Sequence, residues 1–184
     1  VLENGTAQGS VISPILFVIM INDLLNNLPP DIESALFADD CAVFKSGHNL
    51  QLLVRQVQKT LDMIVNWNDL FGFKLSQTKT VAVVFSLAQD KNCELKLGNN
   101  KLTLQDSVKF LGVIFDSKLS WLPHVTYIEN KCKKRLNFMR CISGNTWGAC
   151  KTTLLTIYKT LIRSVIDYGC IAYDSACESH LHKL

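Results

Sequence analysis

Two adjacent carboxylates, Asp39 and Asp40, sit at the centre of the otherwise apolar stretch Ser34-Ala35-Leu36-Phe37-Ala38-Asp39-Asp40-Cys41-Ala42-Val43. Charged side chains are seldom drawn toward apolar surroundings unless something holds the charge, and a divalent cation is the obvious holder. The flanking runs, Glu33 to Phe37 and Cys41 to Lys45, read as two short strands joined at a tight bend by Ala38-Asp39-Asp40. Successive side chains of a strand point to opposite faces, so neighbouring carboxylates approach one site together only where the chain turns. An acidic hairpin tip of this kind suits a hard cation that takes oxygen ligands, Mg²⁺ being typical. An Asp-Asp turn kept for hydrogen bonding and solubility is the alternative use of the same residues.

The elements that must position this tip can be read on either side of it. Upstream lies Gly5-Thr6-Ala7-Gln8-Gly9-Ser10-Val11-Ile12-Ser13-Pro14-Ile15-Leu16-Phe17, a polar loop whose glycines let backbone approach a ligand. Ser13-Pro14 reads as an N-cap followed by proline at the first helical position, so a helix is predicted from Pro14 to about Asn27, ending at Pro29-Pro30. Ile15 through Ile21 is apolar all round, which predicts a buried helix holding the loop beside the hairpin. Downstream, Asn49 caps a predicted helix from Leu50 to about Leu70, with Leu50, Leu53, Val54, Val57, Leu61, Ile64 and Val65 on one face. Val81 to Ser86, Cys93 to Leu97, Lys101 to Gln105 and Val108 to Phe115 read as strands, the middle pair turning at Gly98-Asn99-Asn100. Beyond Trp121 the period is helical: Val125, Ile128, Cys132, Leu136 and Met139 make one stripe, and Leu154, Tyr158, Leu161, Val165 and Tyr168 a second.

The Gly5 to Pro14 loop, followed about twenty residues later by Phe37-Ala38-Asp39-Asp40, resembles the adjacent B and C motifs of a reverse transcriptase palm. The match is to the non-LTR (LINE-type) retrotransposon enzymes, the jockey-like group in particular. The family loop usually reads Pro-Gln-Gly-Ser, and this chain departs from it with Ala7 before Gln8. Gly72-Phe73-Lys74-Leu75-Ser76-Gln77-Thr78-Lys79-Thr80 resembles motif D, with Ser76 where asparagine is common. Phe110-Leu111-Gly112-Val113-Ile114-Phe115-Asp116 resembles the motif E primer-grip hairpin, with Trp121 close behind, and Asp167-Tyr168-Gly169-Cys170 with Tyr173 resembles the tail of the thumb region.

The resemblance implies an α+β fold: a partial right-hand polymerase palm over residues 1–120, built as an antiparallel sheet with helices on one face, then a helical thumb-like unit over 121–184. It implies an RNA-directed DNA polymerase that acts on an RNA template, a DNA primer and deoxynucleoside triphosphates. Two Mg²⁺ ions, with Mn²⁺ as a substitute, would drive two-metal nucleotidyl transfer. Asp39 and Asp40 become catalytic metal ligands, Asp39 the stronger. Gln8 and Gly9 would face the incoming nucleotide, and Lys79 the departing pyrophosphate. Phe37 would lie near the primer end, and Leu111 with Gly112 would form the primer grip. Family members share the metals with an aspartate on an upstream strand, motif A, and no such strand precedes Val1. The chain is therefore expected to be a piece of a longer protein, lacking fingers and motif A and inactive alone. A catalytically dead remnant that at most binds RNA or primer-template is the alternative.

Charge sharpens the division. Residues 1–120 carry 10 Lys and Arg against 12 Asp and Glu, and residues 121–184 carry 9 against 4. Lys131, Lys133, Lys134, Arg135 and Arg140 concentrate positive charge on one segment, as in a protein that follows phosphates, although such runs also serve as solvated helix faces. With the family, Lys131, Lys133, Lys134 and Arg135 become primer or template contacts. No apolar run reaches a membrane span and no signal peptide is present, so an intracellular protein, cytoplasmic or nuclear, is expected, without a membrane partner. The oligomeric state is not encoded in any feature of the sequence. Seven cysteines, an odd number with no Cys-x-x-Cys pair, read as reduced thiols. Cys177-Glu178-Ser179-His180-Leu181-His182 fits no standard zinc spacing and reads as a frayed terminus. His48 and His124 lack a nucleophile or acid nearby in sequence, which leaves a hydrolase without support.

Overall fold

The computed structural model describes residues 9–88, 93–144, 147–182 and 184. Its contacts divide into two units: Val1–Val84 with Ala88–Gln105, and Phe85–Leu87 with Asp106–Leu184. Helices and short strands alternate in both, which is an α+β composition.

In the first unit, α1 (Ser13–Asn26) begins one residue earlier than the proline predicts. Ser13 lies inside the first turn, Ile12 occupies the cap position, and the side-chain oxygen that accepts there is that of Ser10, from the Ile12 amide at 3.4 Å. The expected burial of this helix is corrected by the structure. Ile15, Leu16, Val18, Ile19 and Met20 are all at least 43% exposed, and Leu24 is the one buried residue of the helix. An all-apolar circumference states that a helix wants cover, not that its own chain supplies it.

The hairpin β1 (Glu33–Phe37) and β2 (Asp40–Phe44) follows, antiparallel, with Glu33 opposite Phe44 and Phe37 opposite Asp40. Then α2 (Leu50–Phe71) starts where Asn49 accepts a hydrogen bond from the Leu52 amide at 3.1 Å and stops at Gly72, whose φ of 75° ends the helix in the left-handed region. Two small cores form along its inner face. Leu24, Ile64 and Trp67 close on Leu28, Val43 and Phe73, while Leu61, Leu97 and Leu102 close on Val43, Val57, Val65 and Leu95. Val43 belongs to both, so the hairpin is fastened to α2 through one β2 side chain that each core shares.

The expected single antiparallel sheet is instead four separate two-stranded ladders among the described residues. Besides β1 with β2, they are β3 (Val81–Ala82) with β6 (Thr103–Leu104), β4 (Lys96–Leu97) with β5 (Asn100–Lys101), and β7 (Ser107–Phe110) with β8 (Val113–Asp116). The β3–β6 ladder is parallel. The runs predicted as strands from Val81, Cys93 and Lys101 are cut to two-residue pieces, because β-propensity marks a residue that fits a sheet but a ladder needs a partner at each rung. The Val108 to Phe115 run folds back on itself at Leu111-Gly112 as the β7–β8 hairpin.

The second unit packs that hairpin against α3 (Leu122–Cys141). Its core holds Val113, Trp121, Val125, Ile128, Cys132, Ile162, Tyr173 and Ala176. Leu136, expected on the buried stripe, is 38% exposed. The second stripe is corrected too. After α4 (Lys151–Ile157) the chain makes a π-helical stretch, Tyr158–Arg163, before α5 (Ser164–Asp167). The wider π turn rotates the face, so Ile162 is buried at 3% exposure while Leu161 is 36% exposed. Short helices α6 (Cys170–Tyr173) and α7 (Glu178–Leu181) finish the unit. The tail is not frayed: Leu181 packs on the core and the His180 ring nitrogen Nδ1 lies 3.3 Å from the Ser120 carbonyl.

Asp116 organises the start of α3. Its carboxylate accepts from the Ser120 and Trp121 amides at 2.9 Å each, holding Leu119 and Trp121 at φ values of 51° and 62°. Burial raises this carboxyl, but the hydrogen bonds from Ser120 and Trp121 outweigh it and leave the group below the usual carboxylate range. A carboxyl lowered in the folded state contributes fully above its unfolded value, near pH 4, and its contribution fades as pH falls through the folded value. Asp116→Asn is therefore expected to cost about 1–3 kcal/mol at neutral pH. It should also flatten the acid limb of stability below about pH 4, read from urea midpoints across pH.

Candidate functional site

Because Phe37 pairs with Asp40, the β1–β2 turn contains only Ala38 and Asp39. Ala38 has φ 52°, the left-handed conformation that the first residue of a type II′ hairpin turn requires and that glycine usually fills. Asp39 therefore stands in the turn itself, while Asp40 is the first residue of β2, one position earlier than the predicted strand. Both carboxylates are exposed, as is Phe37 at 65%. The open end of the hairpin is tied by Lys45, whose ammonium bonds the Asp31 carboxylate at 3.1 Å, and Gln56 donates to the same oxygen at 3.1 Å. The Lys45 hydrogen bond keeps the Asp31 carboxyl below its ordinary value.

This donor set fits one side of a Mg²⁺ site. Mg²⁺ is commonly held by one or two carboxylates, with water and substrate phosphates completing the octahedron. No group of three His, Cys, Asp or Glu side chains converges among the described residues, so the hairpin offers open carboxylates and not a closed cage.

The other expected positions fall on three separate elements. Gly9 is exposed ahead of α1 with φ 87°, and a Cβ there would meet nothing within 4 Å; Gln8 lies outside the described residues. Lys79 is exposed on a turn in which the Ser76 carbonyl accepts from the Lys79 amide at 3.2 Å, the Thr80 amide at 3.0 Å and the Thr80 hydroxyl at 2.8 Å. Ahead of that turn, the Phe73 ring stacks on Trp67 at 5.3 Å and meets Phe17 edge-on at 6.2 Å.

Leu111 and Gly112 belong to the second unit, where they form the two-residue turn of β7–β8 with φ of 46° and 84°. The Tyr168 hydroxyl donates to the Leu111 carbonyl at 2.7 Å, and a Cβ on Gly112 would lie 3.2 Å from Tyr168 Cε1. The glycine thus makes room for a tyrosine of its own chain.

The family described as "Reverse transcriptase (RNA-dependent DNA polymerase)" matches residues 1–115. The chain belongs to the reverse transcriptase family. It is 25% identical over 189 residues to "RNA-directed DNA polymerase from mobile element jockey" of Drosophila melanogaster, covering 98% of this chain and 20% of that relative. It is 24% identical over 186 residues to "Probable RNA-directed DNA polymerase from transposon X-element" of the same fly, covering 98% and 20%. It is also 22% identical over 171 residues to "Retrovirus-related Pol polyprotein from type-1 retrotransposable element R1" of Bradysia coprophila, covering 91% and 17%. These relatives are non-LTR retrotransposon polymerases, and the chain spans about a fifth of their length. No solved structure matches.

Within this chain, the α3 cations have different partners. Lys133 pairs with Glu129 one turn back at 2.5 Å, and the Arg135 guanidinium donates to the Leu161 carbonyl inside the π-helical stretch. Lys131 lies over the Tyr127 ring, 5.7 Å from its centroid, and Lys134 is exposed. Sequence reasoning missed the Asp116 cap and the Tyr168–Leu111 hydrogen bond. The first had a signal in the run Asp116-Ser117-Lys118-Leu119-Ser120-Trp121-Leu122-Pro123, a turn-former ahead of a proline-led helix; the second joins residues 57 apart and had none.

The two hairpin turns respond to substitution in opposite directions. Ala38→Gly is expected to stabilise the chain by up to about 1 kcal/mol, since glycine takes the left-handed conformation without strain. Gly112→Ala is expected to destabilise it by about 1–2 kcal/mol, through the same strain and the contact with Tyr168. Urea midpoints of the two variants check both signs.

Proposed function

We propose that the chain is the hairpin-bearing part of an RNA-directed DNA polymerase of a non-LTR retrotransposon, residues 1–120 serving as partial palm and 121–184 as thumb-like region. The observation that carries this reading is the exposed pair Asp39 and Asp40 at a two-residue turn, inside the segment that matches the family. Asp39 and Asp40 supply the oxygen donors, Asp39 foremost because it stands in the turn. Mg²⁺, or Mn²⁺ in its place, would lower the pKa of a primer 3′-hydroxyl and offset charge on the transferred phosphoryl group. Phe37 borders the primer end, and Gln8 with Gly9 faces the deoxynucleoside triphosphate across from the RNA template. Lys79, on its braced turn, neutralises or protonates the departing pyrophosphate. Leu111 and Gly112 support the primer through the β7–β8 turn that Tyr168 braces.

The site works inside the cell, in cytoplasm or nucleus, where unpaired thiols such as the seven cysteines of this chain persist. No helix among the described residues is long and apolar enough to cross a membrane.

Paramagnetic broadening by Mn²⁺ tests the ligand assignment on the 184-residue chain. Selective loss of the Phe37 to Cys41 amide signals, abolished by Asp39→Asn and reduced by Asp40→Asn, is expected. Broadening spread evenly over surface carboxylates would overturn it and leave a nucleic-acid-binding remnant as the better account. Supplied with RNA template, DNA primer, deoxynucleoside triphosphates and Mg²⁺, the same chain is expected not to extend the primer, because two carboxylates supply one side of a two-metal cage. Extension that disappears in Asp39→Asn would show that this hairpin needs no further carboxylate.

A further inference from the structure

Lys109 and Lys131 come from different elements, β7 and α3, yet converge on one phenol. Lys109 Nζ donates to the Tyr127 hydroxyl at 3.2 Å and lies 4.6 Å from the ring centroid, while Lys131 Nζ lies 5.7 Å from the same centroid. The phenol is fixed from behind. Tyr127 packs on the core of the second unit, and the His124 ring, buried at 2% exposure, lies roughly parallel to it at 6.3 Å. Ion pairs among the described residues occupy Lys45, Lys101, Lys133 and Arg163; these two ammonium groups share a neutral oxygen and a π face instead. The hydrogen bond from Lys109 and the charges of Lys131 and Lys109 hold the Tyr127 hydroxyl below the usual phenol range.

Two like charges held around one ring repel, and an anion placed between them relieves the repulsion. Two ammonium groups lie over the ring, 4.6 and 5.7 Å from its centroid, and compete with a base for stacking there. What remains is a pair of cations, on separate elements, beside a hydroxyl that can donate to an oxyanion. We propose that Lys109, Tyr127 and Lys131 form a cradle for a phosphodiester phosphate of the nucleic-acid backbone. Lys109 and Tyr127 thereby join the binding surface, and Lys131 is separated from Lys133 and Arg135, whose charges are engaged within the protein. The proposal rests on the nucleic-acid partner of the preceding section and is independent of Asp39 and its metal.

The test is anisotropy of a fluorescent DNA primer annealed to an RNA template, titrated with the 184-residue chain over a range of salt concentrations. Removing one cation that neutralises a phosphate lowers the slope of log affinity against log salt by about 0.7–0.9. The double variant Lys109→Gln, Lys131→Gln is expected to lose between one and two such increments, with an unchanged melting temperature. Lys118→Gln, which removes an exposed lysine of the same unit, should leave the slope in place. Ultraviolet titration supplies a second readout: bound duplex should draw the amines away and raise the Tyr127 phenol pKa, with Tyr127→Phe identifying the signal. Equal slopes for the double variant and the wild type, an equal loss from Lys118→Gln, or no wild-type binding at low salt would overturn the cradle. If inorganic phosphate at millimolar concentration moves the phenol and duplex does not, the site takes free phosphate and the backbone assignment fails. The cradle is read from the salt slope and the phenol, and the polymerase reading from Mn²⁺ broadening at the hairpin tip, so failure of one and failure of the other give different results.

Discussion

The right-handed twist of paired strands is the constraint on which both the β1–β2 and the β7–β8 hairpins depend. A two-residue loop can join such strands only if its backbone twists the same way, which puts its first residue in the left-handed region. All three antiparallel ladders of the described residues obey this, with Ala38 at φ 52°, Gly98 at 60° and Leu111 at 46°. At Gly98 the conformation is free of strain, whereas Ala38 and Leu111 carry a cost of about 1–2 kcal/mol each. The surroundings offset it. Five paired positions and the Lys45–Asp31 tie hold the Ala38 turn, and the Tyr168 hydroxyl holds the Leu111 turn. Asp39 is presented to solvent because the turn is this short; a longer loop would give its carboxylate no fixed direction.

What could be read from the sequence was whatever short-range chemistry decides. The limits of α2 follow from an asparagine that caps and a glycine that stops, and β1 is legible to the residue because Leu36 and Phe37 end abruptly at Ala38-Asp39. Legibility failed where the deciding partner is distant. Ile15 through Ile21 announces apolar surface without saying what meets it, and all of it but Phe17 and Ile21 lies exposed. Val81 to Ser86 is rich in strand-forming residues, but its ladder pairing among the described residues is that of Val81 with Thr103 and Ala82 with Leu104. A Cβ on Gly112 would meet the Tyr168 ring, a neighbour distant in sequence that no local signal marks. The acidic tip was legible as a candidate; which carboxylate stands in the turn emerged only from the pairing of Phe37 with Asp40.

Charge follows the same division between local and distant causes. The sequence located a cationic segment, but a helix advances about 100° per residue, so neighbours in sequence part company in space. Lys133 turns to Glu129, Arg135 braces a carbonyl of the π-helical stretch, and Lys131 meets a lysine from a strand 22 positions earlier. Net charge therefore says little about how many cations a ligand can meet.

The π-helical stretch Tyr158–Arg163 has a meaning in units of chain length. A π turn accommodates one residue more than an α turn, so the run from Lys151 to Asp167 is one residue longer than an α-helix of the same alignment would be. Removing a residue there would restore α geometry and turn Ile162 and Tyr168 by about 100° relative to α4. A shorter and more regular helix would then carry the phenol off the Leu111 carbonyl. The irregularity is a spacer, and the β7–β8 turn is what it measures.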